Sequence, residues 1–327
     1  MDHPNEASTV IAQSAILTSD DQIKSHFKRN FHLFHHACSI NTQKAILRAL
    51  KAYHYFCLHR KFTLFPLSEE KILHYINDRK QDNVLGRTID ADVSMLKMLD
   101  ALGLNKKKSP LTDSKAISLA LKAIKRPDRA KKKANAIDYD RLCEWYEMQK
   151  SQRDSLAFKR NNALFRIAYD GMLRVSEIRA IRILDIDIVT SSLCIQRSKT
   201  DQDAEGEFLY LRPETINAFN IWQEALNQPQ HSPLFWSFFK GGKLKAPLSD
   251  RGLMKIIKEA FYFVEGVSSH SFRVGACEDM ASNNISMTQI MLSGRWKDPK
   301  MPAYYSRRIN AAKSGMAELA LLQKNRD

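Results

Sequence analysis

With 327 residues, 44% of them hydrophobic and only 11 Gly and 10 Pro, the chain is long enough for about two domains and too apolar to be disordered by composition. Its net charge of +15 is uneven: residues 1–135 hold 24 Lys and Arg against 13 Asp and Glu, and residues 136–327 hold 27 against 23. That excess favours a polyanionic partner, while the lack of any apolar run of about 18 residues, or of a basic-then-apolar leader, argues against a membrane span and a secretory signal.

The five cysteines (Cys38, Cys57, Cys143, Cys194, Cys277) show no C-x-x-C spacing, which suits buried thiols in a reducing compartment. The expected location is therefore the cytoplasm. Residues 1–18 read as a flexible leader. From 19 to 125 the pattern is helical throughout, with Phe27, Phe31 and Phe34 spacing one apolar face. Asn41 or Thr42 is placed to cap a helix carrying Ile46, Leu47, Leu50, Tyr53 and Phe56. Pro66 and Ser68 open another, with Ile72, Leu73, Tyr75 and Ile76. Thr88 to Leu102 forms a fourth, stopped by Gly103. Thr112 or Asp113 caps a fifth, bearing Ile117, Leu121 and Ile124.

Pro127 then ends the pattern. Residues 126–137, RPDRAKKKANAI, carry five basic residues and one acid, including Lys131, Lys132 and Lys133, and read as an interdomain linker. Such a run reads as a solvated hinge and as a strap along a phosphate backbone, and it can be both. From 138 to 327 the pattern is mixed. Helices are expected around Leu142–Tyr146 and Asn162–Tyr169, then strands at Ile186–Val189, Leu193–Gln196 and Phe208–Leu211. Helices resume at Pro213–Leu226, Asp250–Phe263, Ser271–Ser282 and Met287–Leu292, around Tyr305, and over 310–325. The expected fold is mainly α with a small antiparallel sheet: an all-helical N-terminal domain followed by an α+β domain.

Six residues of the second domain suggest chemistry: Arg174, Lys199, His270, Arg273, Trp296 and Tyr305. Three cations, a histidine, an indole donor and a phenol suit an anionic phosphodiester under attack by tyrosine. Gly171 ends a helix and Ser176 can cap the next, which puts Arg174 in a turn where Glu177 can orient it; an ordinary surface Arg–Glu pair reads the same way. Lys199 sits at a hairpin tip, either solvated or poised to protonate a leaving oxygen. His270 and Arg273 share one side of a helix start, where the helix N-terminus favours phosphate. Trp296 offers one N–H donor, or simply packs on Ile290 and Met291. Neighbours on a helix point about 100° apart, so only one of Tyr304 and Tyr305 faces the site.

The order Arg, Lys, His-x-x-Arg, Trp, Tyr resembles the tyrosine recombinases (the phage integrase family), and the stretch HSFRVGACEDMASNNISMTQIMLSGRWKDPKMPAYYSRR is similar to the signature of their Cre-like members. In that signature, too, the tyrosine falls nine positions after the tryptophan, which selects Tyr305. The resemblance implies an N-terminal DNA-binding domain, a catalytic domain, and site-specific recombination through a 3′-phosphotyrosyl intermediate, with no metal, ATP or other cofactor. It implies that Arg174 and Arg273 neutralise the phosphate, Trp296 donates a hydrogen bond, His270 manages the tyrosine proton, and Lys199 protonates the leaving 5′-oxygen. The implied partner is double-stranded DNA carrying a target site, in a prokaryotic cell. The implied assembly is a monomer in free solution and a homotetramer on two duplexes, linked by exchange of the helix at 310–325. The rival readings are a type IB-like DNA-relaxing topoisomerase and a DNA-binding protein that has lost catalysis.

Overall fold

The structure, a computed structural model, describes residues 38–103, 109–126, 135–196 and 206–324. The chain divides into two compact units, Met1–Lys131 and Lys132–Asp327. The expected leader, the helix at Phe27–Phe34 and the Lys131–Lys133 run all lie outside the described residues.

Among the described residues the first unit holds four α-helices: α1 (Ile40–Arg60), α2 (Glu69–Gln81), α3 (Gly86–Gly103) and α4 (Lys115–Lys125). Their apolar faces meet in a core of Tyr53, Phe56, Ile72, Tyr75, Ile89, Val93, Leu96 and Ile117. Buried Asp92 takes hydrogen bonds from Arg48 Nη2 (3.0 Å) and the Tyr75 hydroxyl (3.3 Å), so its charge is paired. Two caps differ from the sequence reading. Ser39, not Asn41 or Thr42, opens α1, its hydroxyl accepting from Thr42 N at 3.2 Å. Ser114 opens α4 because Pro110–Asp113 is already coiled as a 3₁₀ turn, which uses up Thr112 and Asp113.

The second unit begins with α5 (Tyr139–Met148), α6 (Leu156–Asp170) and α7 (Val175–Ala180). Strands β1 (Ile186–Asp187), β2 (Ser192–Ile195) and β3 (Glu207–Tyr210) form an antiparallel sheet in chain order, with Cys194 opposite Phe208. Helix α8 (Pro213–Leu226) follows, then a second hairpin of β4 (Trp236–Phe238) and β5 (Leu244–Pro247). Helices α9 (Asp250–Ala260), α10 (Ser271–Ser282), α11 (Met287–Gly294), α12 (Lys300–Ala312) and α13 (Gly315–Lys324) complete it. Every residue from Ala163 to Tyr169 is buried, so α6 is the central helix, wrapped on all sides, and the Arg166 within that run donates to Asn162 Oδ1 at 2.9 Å. Phe165, Phe261 and Phe272 meet there with centroids 5.0–5.5 Å apart. Gly275 lets residues 135–138 run across α10, because a β-carbon there would collide with the Ile137 carbonyl; Ile137 N donates to Ser271 O at 2.9 Å. The chain leaving the linker is thereby fastened to the helix that bears His270 and Arg273.

At the C-terminal end the expected single helix over 310–325 is two elements. The Tyr305 helix α12 runs on to Ala312, and α13 starts at Gly315. Lys313 makes the break: its ammonium donates to Ala281 O (2.6 Å), Ser282 O (2.7 Å) and Asn284 Oδ1 (2.6 Å), drawing the chain onto the end of α10. Among the described residues no helix is long and apolar enough to cross a membrane.

Candidate active site

The first corner of the site is the turn between α6 and α7. Met172 takes a left-handed conformation (φ 45°), and Arg174 itself, rather than Ser176, is the N-cap of α7. Glu177, three residues on, reaches back to the cap: Arg174 N donates to Oε2 at 2.8 Å and Arg174 Nη1 to Oε1 at 2.6 Å. The Glu177 side chain is 2% exposed. Burial alone would raise its pKa, but Arg295 and Arg174 outweigh it and hold the carboxyl below its ordinary value.

The second corner is the N-terminus of α10. Arg273 is buried, with Nη1 donating to Met172 O (2.5 Å) and Nη2 to Gly294 O. Burial first, then Arg174 and Arg295, lower its pKa to about 10, so it stays charged at neutral pH. His270 is the N-cap of α10 and opens to solvent on one side. Packing on its other side, then the charges of Arg273 and Arg174, push its pKa below the ordinary value. The imidazole is neutral at pH 7 and can accept a proton.

The third corner comes from α11 and α12. Helix α11 ends with Arg295 in the left-handed region (φ 54°). Trp296 doubles back over Gly294, where any β-carbon would strike the indole. The indole covers the Arg273 guanidinium, whose Cζ is 4.3 Å from a ring centroid, and lies 6.0 Å from the Tyr305 ring. Tyr305 is half-buried; burial raises its pKa and Arg273 pulls it back down. Tyr304 packs against Arg307 instead, at 4.8 Å. Arg273 is thus a charge that favours the phenolate of Tyr305 within the resting fold.

The structure therefore brings Arg174, Glu177, His270, Arg273, Trp296 and Tyr305 together, and Lys199 lies outside the described residues, as do Lys131, Lys132 and Lys133. Two features escape a reading of the sequence. Arg295, 8% exposed, joins Glu177 and Glu207 on β3. The β4–β5 hairpin presents Lys240, Lys243 and Lys245 around an exposed Phe239. The Gly241–Gly242 pair after the aromatic run LFWSFF is its only signal. Beside Trp296, a cavity of about 770 Å³ is lined by Met172, Phe208, Tyr210, Met280 and Leu292.

A family profile described as the phage integrase family matches residues 140–311 of this chain. The chain is 26% identical over 312 residues to the recombinase Cre of Escherichia phage P1, covering 86% of this chain and 88% of that protein. It is 25% identical over 338 residues to an integrase/recombinase XerD homolog of Selenomonas ruminantium, covering 91% and 96%. Among solved structures it is similar to the XerH site-specific recombinase bound to a palindromic difH substrate in a post-cleavage complex, with a TM-score of 0.62, 14% identity, and 95% and 88% of the two chains covered. At that identity the likeness speaks for the fold.

Proposed function

The chain belongs to the phage integrase family, and on that premise we propose how its own residues perform site-specific recombination between two DNA target sites. The observation that carries the reading is the meeting of Arg174, Arg273, His270, Trp296 and Tyr305 at the N-terminus of α10. Tyr305 Oη attacks the scissile phosphorus while its proton passes to the neutral imidazole of His270. Arg174 and Arg273 hold the non-bridging oxygens, with Trp296 donating one further hydrogen bond. The P–O5′ bond breaks, and Lys199 gives the leaving oxygen its proton. A 5′-hydroxyl of the partner strand then gives its proton back to Lys199 and attacks the phosphotyrosyl phosphorus; the P–O bond to Tyr305 breaks, and the phenolate regains its proton from His270. One phosphodiester is made for each one broken, so the bond energy stays in the ester and no ATP is consumed.

Duplex DNA is the partner. The basic linker residues Lys131, Lys132 and Lys133 and the lysines of the β4–β5 hairpin are its backbone contacts in this reading. The assembly is a monomer in solution and a tetramer on two paired duplexes. Support comes from α13, where Met316, Leu319, Leu321 and Leu322 are 72%, 43%, 66% and 61% exposed. An apolar helix left uncovered by its own unit calls for a neighbour, and the cavity beside Trp296, apolar at Met172, Phe208, Met280 and Leu292 and flanked by the charged Asp170, Arg212 and Lys297, is the receptor in this reading.

The test starts from duplexes selected out of a random pool by binding. A selected site, nicked so that the cut fragment diffuses away, is expected to leave a covalent protein–DNA adduct that survives detergent. Two copies of the site on one plasmid are expected to recombine. Relaxation of supercoiled plasmids lacking the site, at a rate equal to that on the site, would instead identify a topoisomerase. Neutralising Lys131, Lys132 and Lys133 together is expected to flatten the salt dependence of binding by about one unit per lost phosphate contact. An unchanged slope would make that run a hinge only.

A further inference from the structure

We infer that Arg295 is a positioning residue of the active site: a buried guanidinium that shares the Glu177 carboxylate with Arg174 and ties it to the first residue of β3. The inference rests on the proposed cleavage chemistry, because it concerns how Arg174 is held for that chemistry.

Three observations carry it. Arg295 is an arginine at φ 54°, in the left-handed region where glycine is favoured, so the backbone of this turn gives no reason for a long side chain there. The side chain is nevertheless 4% exposed, and a cation placed so deep requires partners. Its partners are placed to matter. Nη2 donates to Glu177 Oε2 at 2.7 Å and Nη1 to Gly171 O at 2.9 Å, while Nε pairs with Glu207 Oε2 by charge alone at 3.1 Å, without hydrogen-bond alignment.

Glu177 is thus not an isolated orienter. Its Oε1 holds the Arg174 guanidinium and its Oε2 holds both the Arg174 backbone N–H and Arg295. Two carboxylate oxygens accept three donors, which leaves Arg174 few directions in which to point. With Arg295 absent, the carboxylate can rotate toward Arg174 and draw its guanidinium off the phosphate. The second link fixes a different part of the site. Glu207 opens β3 and pairs across the sheet with Ile195 on β2. The contact at Gly171 O fastens the turn that leads to Arg174. One side chain therefore ties the turn at residues 171–177 to the start of β3, two segments far from it in sequence, and it stands directly before Trp296. Arg295 also adds to the positive field, since its charge helps lower the pKa of Arg273.

The experiment is single-turnover formation of the covalent adduct on a nicked target duplex. It uses wild type, Arg295→Gly, Arg295→Lys, Arg174→Ala and the double variant Arg174→Ala/Arg295→Gly. Glycine suits the left-handed backbone, so Arg295→Gly tests the side chain without adding strain. Arg295→Gly is expected to slow cleavage by about tenfold or more while the half-saturating DNA concentration moves less than about threefold. Arg295→Lys, which keeps the charge but reaches fewer acceptors, is expected to recover part of the rate. On the Arg174→Ala background, Arg295→Gly is expected to add less than about a twofold loss, because its effect passes through Arg174. Losses that multiply in the double variant, a wild-type rate in Arg295→Gly, or a loss seen only as weaker DNA binding would each overturn the inference. Where Arg295→Gly melts at a sharply lower temperature, Arg295→Lys decides: a several-fold slower rate at unchanged melting supports the inference, and a wild-type rate overturns it. Failure of the wild-type protein to form any adduct is a different result, which removes the proposed chemistry and this inference with it.

Discussion

Arg273 is 3% exposed and both ends of its guanidinium are held by backbone carbonyls, whereas Tyr305 rides on α12, a helix of which only Pro302 and Ser306 are buried. The arginine side of the site is locked by contacts reaching from Gly171 to Arg295. The tyrosine side sits on the outside of its unit and leads within a few residues into α13, whose apolar side chains are exposed. Cations that stabilise a transition state gain from being fixed beforehand, since no reorganisation is then needed during the reaction. A nucleophile that must cut only in the right assembly gains from the opposite, a carrier whose position a neighbour can set. The contrast predicts which substitutions harm cleavage of a single site and which harm only synapsis and strand exchange.

The largest effect belongs to the proposed nucleophile. Tyr305→Phe is expected to abolish the covalent adduct while DNA binding persists, and Tyr304→Phe to retain it. Adduct loss in the Tyr304 variant alone would reverse the register of α12 and dissolve the contrast. Next come the fixed cations. Arg174→Ala and Arg273→Ala are each expected to slow adduct formation by about 10²–10³, with much smaller changes in affinity for the target duplex. A large loss of affinity with normal single-turnover cleavage would make them anchors, not transition-state donors.

A smaller effect sharpens the boundary between the two sides. His270 has a pKa below its ordinary value, so it is neutral through the neutral range and becomes charged only as the pH falls through that lowered value. As a base it works above its pKa. The cleavage rate is therefore expected to hold from neutral pH down past about 6.5 and then to fall about tenfold per pH unit. His270→Gln is expected to be slower at neutral pH and to lack that acid limb. A limb unchanged in the variant would assign the titration to another group.

The fold is legible wherever a rule acts within one turn of chain. The helices read at Pro213–Leu226 and Ser271–Ser282 have those limits in the structure, the first because proline at its start supplies a ready φ. Caps mislead where capping residues lie side by side, as at Thr112, Asp113 and Ser114, because a 3₁₀ turn ahead of the helix decides among them. The β4–β5 hairpin escapes detection because no residue of either strand is buried, so no inside–outside alternation is written into it. For the site, the Arg174–Glu177 pair, three residues apart, is within reach of local reasoning, and the likeness to a known family picks out Tyr305. Arg295 is not legible. It meets Glu177 across 118 residues of sequence, and a buried arginine and a surface arginine are written with the same letter.

The least effect on single-site cleavage is expected from removing the tail, and that is where the contrast is most exposed to failure. Deletion of residues 314–327 leaves Lys313 on its three acceptors at the end of α10, so the Tyr305 helix keeps its anchor. The deletion takes away α13, with Met316, Leu319, Leu321 and Leu322 on its surface. The ion pairs and hydrogen bonds that fix Arg174, Arg273 and Arg295 draw no partner from it. Adduct formation on an isolated target duplex is therefore expected to change by less than about threefold, within the scatter of a surface deletion. Assembly on paired duplexes, followed by sedimentation or native gel, is expected to stop short of a tetramer, and recombination between two sites to be lost. Retained tetramers and recombination would mean that α13 closes over its own unit once DNA is bound. Loss of single-site cleavage would mean that the tail supports Tyr305 directly, so that the nucleophile is as firmly built as the arginines.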